Sequence, residues 1–319
     1  MPKIFQSYFT ITIKCFWVPK MPFLEREYLE YISEQIFPGN VRPELQYWTF
    51  IERFNPNNYS IKSIEIAEGL TQMQGKDYAS GINQHIKEVI KKIYRRFRDE
   101  LAQDGITEQQ LGLGNQDPGR KTSDTKSPWQ IAYEWLWDIK YPRWLQDYIW
   151  DNWKQRAETN VEWIQFCDRP SEYSSRGMKI PQALPKEIIP INTPLSLKIN
   201  LDSPGSYLLL FNRGLDAQGN TATKYLVTPS QAFAPSYQLV EKSVLIPLQD
   251  AMCDDIQFDT VGTEEYIGIV INKALNLPWL NPDPENPALE WQGKHLEQVW
   301  EQLHAQDNWR VFYQDFIIA

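Results

Sequence analysis

Apolar residues recur along this chain with two different periods, and the switch between them divides it. From Phe23 to Leu101 the spacing is helical: Leu24, Tyr28, Tyr31 and Ile32, then Trp48, Ile51 and Phe54, then a run from Ile61 onward. Pro38-Gly39-Asn40 and Asn55-Pro56-Asn57-Asn58 interrupt it, since proline ends helices and glycine and asparagine supply turns. Three or more short helices are predicted within 21–104. Residues 105–127 are polar and too poor in apolar side chains to offset their ordering entropy, which predicts a flexible linker. From 128 to 168 a tryptophan-dense segment reads as helix, broken at Pro142. Such a short segment can hardly bury every ring alone, so some rings should dock on a neighbouring domain. A proline-punctuated connector, 169–192, follows.

Beyond 193 the period changes to two. Leu195 to Leu201 alternates strictly, and Tyr207–Asn212, Lys224–Thr228, Val244–Pro247, Ile256–Asp259 and Tyr266–Ile271 are short apolar runs at hairpin-like spacing. Ser203-Pro204-Gly205-Ser206 and Asp216-Ala217-Gln218-Gly219-Asn220 are the expected turns between the first three. A helix over Lys294–Ala305 and a strand over Trp309–Ile318 complete an antiparallel β domain, 193–319. The predicted class is α+β and multidomain: a helical N-terminal domain, a Trp-rich helical middle and a C-terminal antiparallel β-sandwich.

Composition adds that the chain is globular, with 319 residues, 42% of them apolar, and 13 Trp, 16 Tyr and 14 Phe. The three cysteines, Cys15, Cys167 and Cys253, are scattered without metal-site or disulfide spacing, which fits a reducing cytosol. No apolar run approaches the ~20 residues that cross a bilayer, so a soluble, cytoplasmic protein without a membrane partner is expected. Residues 1–20 read either as a strand over Phe5–Trp17 or as an upstream translation, with Met21 the start.

Charge changes the picture more. The formal net charge is −9, yet Lys76, Lys87, Lys91, Lys92, Arg95, Arg96 and Arg98 crowd one stretch against only Asp77 and Glu88. From Ile191 onward seven bases face sixteen acids. Within the basic stretch Ile82, Ile86, Val89, Ile90, Ile93, Phe97 and Leu101 form one apolar stripe, leaving Gln84, Lys87, Lys91, Arg95 and Arg98 on the other face. A basic amphipathic helix exposed on an acidic protein points to an anionic partner.

Ile82, His85, Ile86, Val89, Lys91, Lys92 and Ile93 follow the spacing of a recognition helix, and Glu65 to Leu70 reads as the helix before it. Here the chain resembles the helix-turn-helix of LuxR-type response regulators and sigma-factor region four. The connection 71–81 is several residues longer than theirs. The resemblance implies that Ser80, Asn83, Gln84 and Lys87 face base edges of double-stranded DNA, while Lys91, Arg95 and Arg98 meet phosphates, with Lys92 in the same nucleic-acid-binding set. In the β domain, Leu195 to Gly214, Tyr225 to Ser230 and Val244 to Gln249 resemble the bacterial domain of unknown function 4384. That resemblance implies a small β-sandwich appended to signalling proteins and no known reaction.

Catalytic candidates are weak. Asp254, Asp255, Asp259, Glu264 and Glu265 cluster in sequence but lack the Asp-x-Asp-x-Asp-Gly order of a calcium loop. His85 lies beside the apolar stripe, and His295 and His304 are too far apart on one helix to chelate a metal. Gly112-Leu113-Gly114 has no preceding strand, no Gly-x-Ser-x-Gly is present, and Trp279 in its proline-rich loop reads as a packing anchor. The expectation is a non-enzymatic bacterial regulator or adaptor without cofactor or metal, binding DNA through residues 82–98 and a protein or signal through its β domain. The alternative is a protein-interaction adaptor that binds no nucleic acid, its basic helix docked on an acidic partner or on its own C-terminal domain.

Overall fold

The computed structural model describes residues 22–39, 44–114, 126–159, 162–168, 188–239 and 241–319. The two readings of residues 1–20, residues 115–125 of the expected linker and residues 169–187 of the expected connector lie outside them. The chain is α+β and divides into two compact units, 1–141 and 142–319.

In the first unit, α1 (Phe23–Ile36), α2 (Glu44–Arg53), α3 (Ser63–Gln74), α4 (Ile82–Gln103) and α5 (Pro128–Glu134) enclose one core. Tyr28, Ile32, Phe50, Phe54, Val89, Ile93 and Leu101 are fully buried in it. The long helix α4 buries the whole predicted stripe from Ile82 to Leu101, and its backbone departs from helical geometry at Phe97. Arg53 is buried too, and its fork donates to the carbonyls of Ile61 (2.6 Å) and Tyr59 (2.9 Å) while its plane lies 3.6 Å from the Trp129 ring centre. A single side chain thereby satisfies the turn after α2, a use the guanidinium's rigid donor fork suits. Described residues of the expected linker also fold: Leu111 is buried, and Ile106 donates its N–H to Leu101.

The tryptophan-dense segment is not one body. Trp135 and Trp137 belong to the first unit, where Trp137 donates to the Phe54 carbonyl (2.8 Å) and Trp135 to Asp104 (2.8 Å). Trp150, Trp153 and Trp163 belong to the second. Pro142 does not break the helical run as expected. A π-helical turn, Trp135–Lys140, precedes it, the Tyr141 N–H reaches five residues back to the Leu136 carbonyl, and α6 (Tyr141–Arg156) opens with Pro142 in its first turn. The π-helical turn before it takes up the ring and the missing N–H, which a regular α-helical interior would not. Ile164–Asp168, expected to be helical, is strand β1, paired with β3.

The second unit holds β1, β2 (Ile188–Ile189), β3 (Leu195–Asn200), β4 (Tyr207–Leu215), β5 (Thr221–Thr228), β6 (Ser243–Ile246), β7 (Gly262–Ile271), α7 (Gly293–His304) and β8 (Arg310–Ile318). They form a three-stranded sheet in the order β1-β3-β6 and a five-stranded sheet in the order β2-β8-β7-β4-β5. Pairing is antiparallel except at the edge, where β2 runs parallel to β8. The turn at Ser203–Ser206 carries the chain from one sheet to the other, whereas Asp216–Asn220 closes a β4–β5 hairpin with Gly219 at φ +83°. Residues 256–259 are no strand, making only a single bridge from Ile256 to Leu195.

Leu208, Leu210, Tyr266, Val270, Phe312 and Phe316 on one face of the five-stranded sheet share a core with Phe166, Leu195, Leu197, Ile199 and Ile246 of the other sheet. On the opposite face, Phe211 packs against Trp153 (5.8 Å) and Trp291 (6.4 Å), and Trp153 against Trp300 of α7 (6.4 Å). Each buried indole removes ~150–250 Å² from water, roughly 4–6 kcal/mol of transfer free energy at ~25 cal/mol/Å². Trp150 of α6 stacks on Trp291 (5.4 Å), so Trp150 and Trp153 both serve this face.

Candidate functional site

Among the described residues helix α4 is the one strongly basic element, and its fold decides which of its cations are available. Its first turn follows the connection 75–81, with Gly75 in the left-handed region (φ +67°) ending α3. Gly81 caps α4 without a side-chain hydrogen bond. Just before it, Asp77 accepts the backbone N–H groups of Ala79 (2.9 Å) and Ser80 (3.3 Å). The Ser80 hydroxyl and N–H hold the Asp77 carboxyl below its ordinary range.

Ser80, Asn83, Gln84, Lys87, Arg95 and Arg98 are exposed, and Lys91 and Lys92 are partly so. Among the described residues, none forms an ion pair with Lys87, Arg95 or Arg98. Glu88 moderates the middle of the face, accepting from the Gln84 amide at 3.0 Å and lying 4.0 Å from the Lys91 ammonium. Three of the seven bases turn elsewhere, and one of them, Lys76, lies before α4 and pairs with Glu44 of α2. Lys92 sits 5.3 Å from the Phe37 ring centre, and Arg96 donates to the Gln35 side chain of α1 at 2.5 Å and 3.1 Å. What remains is a stripe, Lys87, Lys91, Arg95 and Arg98, at steps of four, four and three residues. At ~1.5 Å rise per residue it runs about 16 Å along one side of the helix.

The acidic residues grouped in sequence do not assemble. Glu264 and Glu265 are neighbours on β7, so they point to opposite faces of the sheet. Glu264 accepts from the Asn212 amide at 2.6 Å, and burial lifts its carboxyl to about 6. Glu265, 4% exposed, is gripped by Arg213 (2.7 Å), Lys154 (3.0 Å) and the Tyr313 hydroxyl (2.7 Å). Burial pushes its carboxyl up, but the Tyr313 hydrogen bond and the Arg213 and Lys154 charges outweigh it and hold the group below its ordinary value. Arg213 lies over Trp150, 4.6 Å from its ring centre. Sequence gave no sign of this network, because Lys154, Arg213, Glu265 and Tyr313 come from four elements far apart in the chain. Asp255 meanwhile accepts from nearby Gln257 (3.0 Å), and the described residues include no group of three metal-ligating side chains.

The histidines serve packing and capping. His295 Nδ1 accepts the Gln292 N–H at 3.1 Å, with its ring 4.6 Å from that of Trp279, and burial lowers its pKa. His304 Nδ1 lies 2.8 Å from the Trp300 carbonyl. Trp279 donates to Gln298 at 2.7 Å, as a packing anchor does. No described helix is long and apolar enough to cross a membrane.

No family model matches this sequence, and comparison with curated proteins and with solved structures likewise gives no match.

Proposed function

We propose that this protein is a non-enzymatic regulator or adaptor that binds double-stranded DNA through the exposed side of α4, its second unit being a β-sandwich for protein contact or sensing. The observation that carries the reading is the stripe of Lys87, Lys91, Arg95 and Arg98: cations spaced about one per helical turn on a protein of net charge −9, three of them without an acidic partner among the described residues. Like charges at i,i+4 along the row cost about 0.2–0.5 kcal/mol per pair, and the row gains a focused field for an anion. A duplex supplies phosphates at a spacing this stripe can follow, and the exposure of Asn83 and Gln84 at the helix start supports a role at base edges.

The test is fluorescence anisotropy of a labelled mixed-sequence duplex with the full chain across 50–200 mM salt. Binding should weaken as salt rises, with a log–log slope of about −3 to −4 if the four stripe cations each release a counterion. Lys87→Glu with Arg95→Glu should abolish it without lowering the melting temperature, because both side chains stand in solvent. No binding at 50 mM salt, or binding indifferent to that double substitution, refutes the reading. If the same variant instead loses an acidic protein partner recovered by cross-linking, the surface belongs to a protein adaptor.

A further inference from the structure

The exposed side of α4 carries one acid among its bases. Between Ile82 and Arg98 the only carboxylate is Glu88, which stands in the second turn of the helix beside Gln84, Lys87 and Lys91. Its side chain is 34% exposed and that of Lys91 43%, so both reach solvent on the side proposed to meet a duplex. Glu88 is braced rather than loose. The Gln84 amide donates to its Oε1 at 3.0 Å, and the Lys91 ammonium lies 4.0 Å from the same oxygen. The second oxygen, Oε2, accepts no hydrogen bond among the described residues.

Facing phosphates, this residue is out of place. A carboxylate set among Lys87, Lys91 and Arg95 cancels part of the field that the row offers an anion, and phosphates repel it. It fits where a duplex presents a hydrogen-bond donor. In the major groove two bases do so, cytosine through its N4 amine and adenine through its N6 amine. Adenine sets the N7 acceptor beside that amine, and an ionised carboxylate has no hydrogen to give it. Guanine presents acceptors there, and thymine an acceptor and a methyl group. Cytosine alone offers a donor with no adjoining acceptor on the same base.

We infer that Glu88 reads a cytosine in the major groove, its Oε2 accepting a hydrogen bond from the N4 amine while Gln84 holds the carboxylate in position through Oε1. The inference rests on the reading of α4 as the duplex-binding helix and adds that binding is selective at one base pair. Lys91 offsets part of the carboxylate's charge, so Glu88 approaches the groove at less cost than a lone acid would.

The test is selection of bound duplexes from a randomised library at ~50 mM salt, sequenced for the full chain as wild type, Glu88→Gln and Glu88→Ala. The wild type should enrich cytosine at one position about tenfold over the other bases, the worth of one hydrogen bond to a charged group. Glu88→Gln should move that preference to adenine, because a glutamine amide accepts from N6 and donates to N7. Glu88→Ala should lose the preference at that position while binding random duplex at least as tightly as the wild type, since a negative charge has gone. Thermal melts close to that of the wild type show that both variants fold. If the wild type binds no duplex, this inference and the reading beneath it both fall. If duplex is bound but without a cytosine preference, or with the same preferences in wild type and variants, this inference alone is overturned.

Discussion

Replacing Glu264 by glutamine should stabilise the protein at neutral pH and do nothing at pH 4. The reasoning starts from the placement of its carboxyl. Glu264 lies on the interior-facing side of β7, in the space left by Gly214 on β4, and its one tight partner is a neutral amide, Asn212. Burial without a cation favours the protonated form, and its pKa rises from 4.5 to about 6. A carboxyl that holds its proton more tightly when folded contributes stability below pH 4.5, and this is lost as pH climbs through about 6. Once the group is ionised in both states, the folded protein carries a penalty of about 2 kcal/mol, the free-energy equivalent of that shift. Glutamine keeps the oxygen that accepts from Asn212 and cannot ionise. The assay is urea unfolding of wild type and Glu264→Gln at half-unit steps from pH 4 to pH 8. The stability gap should open between about pH 4.5 and 6 and level off near 2 kcal/mol in favour of the variant. A gap of either sign that is the same at pH 4 and pH 8 refutes the reasoning, because other titrating groups cancel between the two proteins.

The adjacent carboxylate should behave in the opposite way: Glu265→Gln leaves Arg213 and Lys154 facing a neutral group and should cost about 3 kcal/mol at pH 7, a deficit that shrinks as pH falls below 4.5 in the same urea series. Gly214→Ala places a methyl 2.3 Å from the Thr223 hydroxyl and 2.7 Å from a Glu264 carboxylate oxygen, and this overpacking should cost about 1–3 kcal/mol; pairing it with Thr223→Ala should recover part of the loss in thermal melts. Arg53→Ala removes the donors that hold the Ile61 and Tyr59 carbonyls and should cost about 3 kcal/mol. Arg53→Lys should rescue little of that, because a point ammonium cannot span both carbonyls, and equal stability of the lysine variant and wild type in urea would contradict the assignment.

Local periodicity carried the elements whose burial depends on one face alone. The stripe of α4 could be read residue by residue, as could β3, β4 and α7 to within a few positions, because amphipathicity is a property of contiguous sequence. Pro142 misled because the π-helical turn that accommodates it depends on backbone geometry over the preceding six residues rather than on any residue type. β1 was hidden for a related reason: five residues after a helical, tryptophan-rich segment show no clear alternation, and only pairing with β3 makes them a strand.

For the candidate site the sequence determined the excess of positive charge and which side of α4 would carry it. Tertiary packing decided that Lys92 and Arg96 turn toward Phe37 and Gln35 while Lys87, Lys91, Arg95 and Arg98 stay in a row, since that depends on where α1 ends against α4. Likewise, sequence placed Glu264 and Glu265 side by side as two interchangeable acids, and the sheet made them opposites. One faces a neutral amide in the interior and the other two cations and a tyrosine from distant elements, because adjacent residues on a strand point to opposite faces and the environment of each face is assembled from the whole chain.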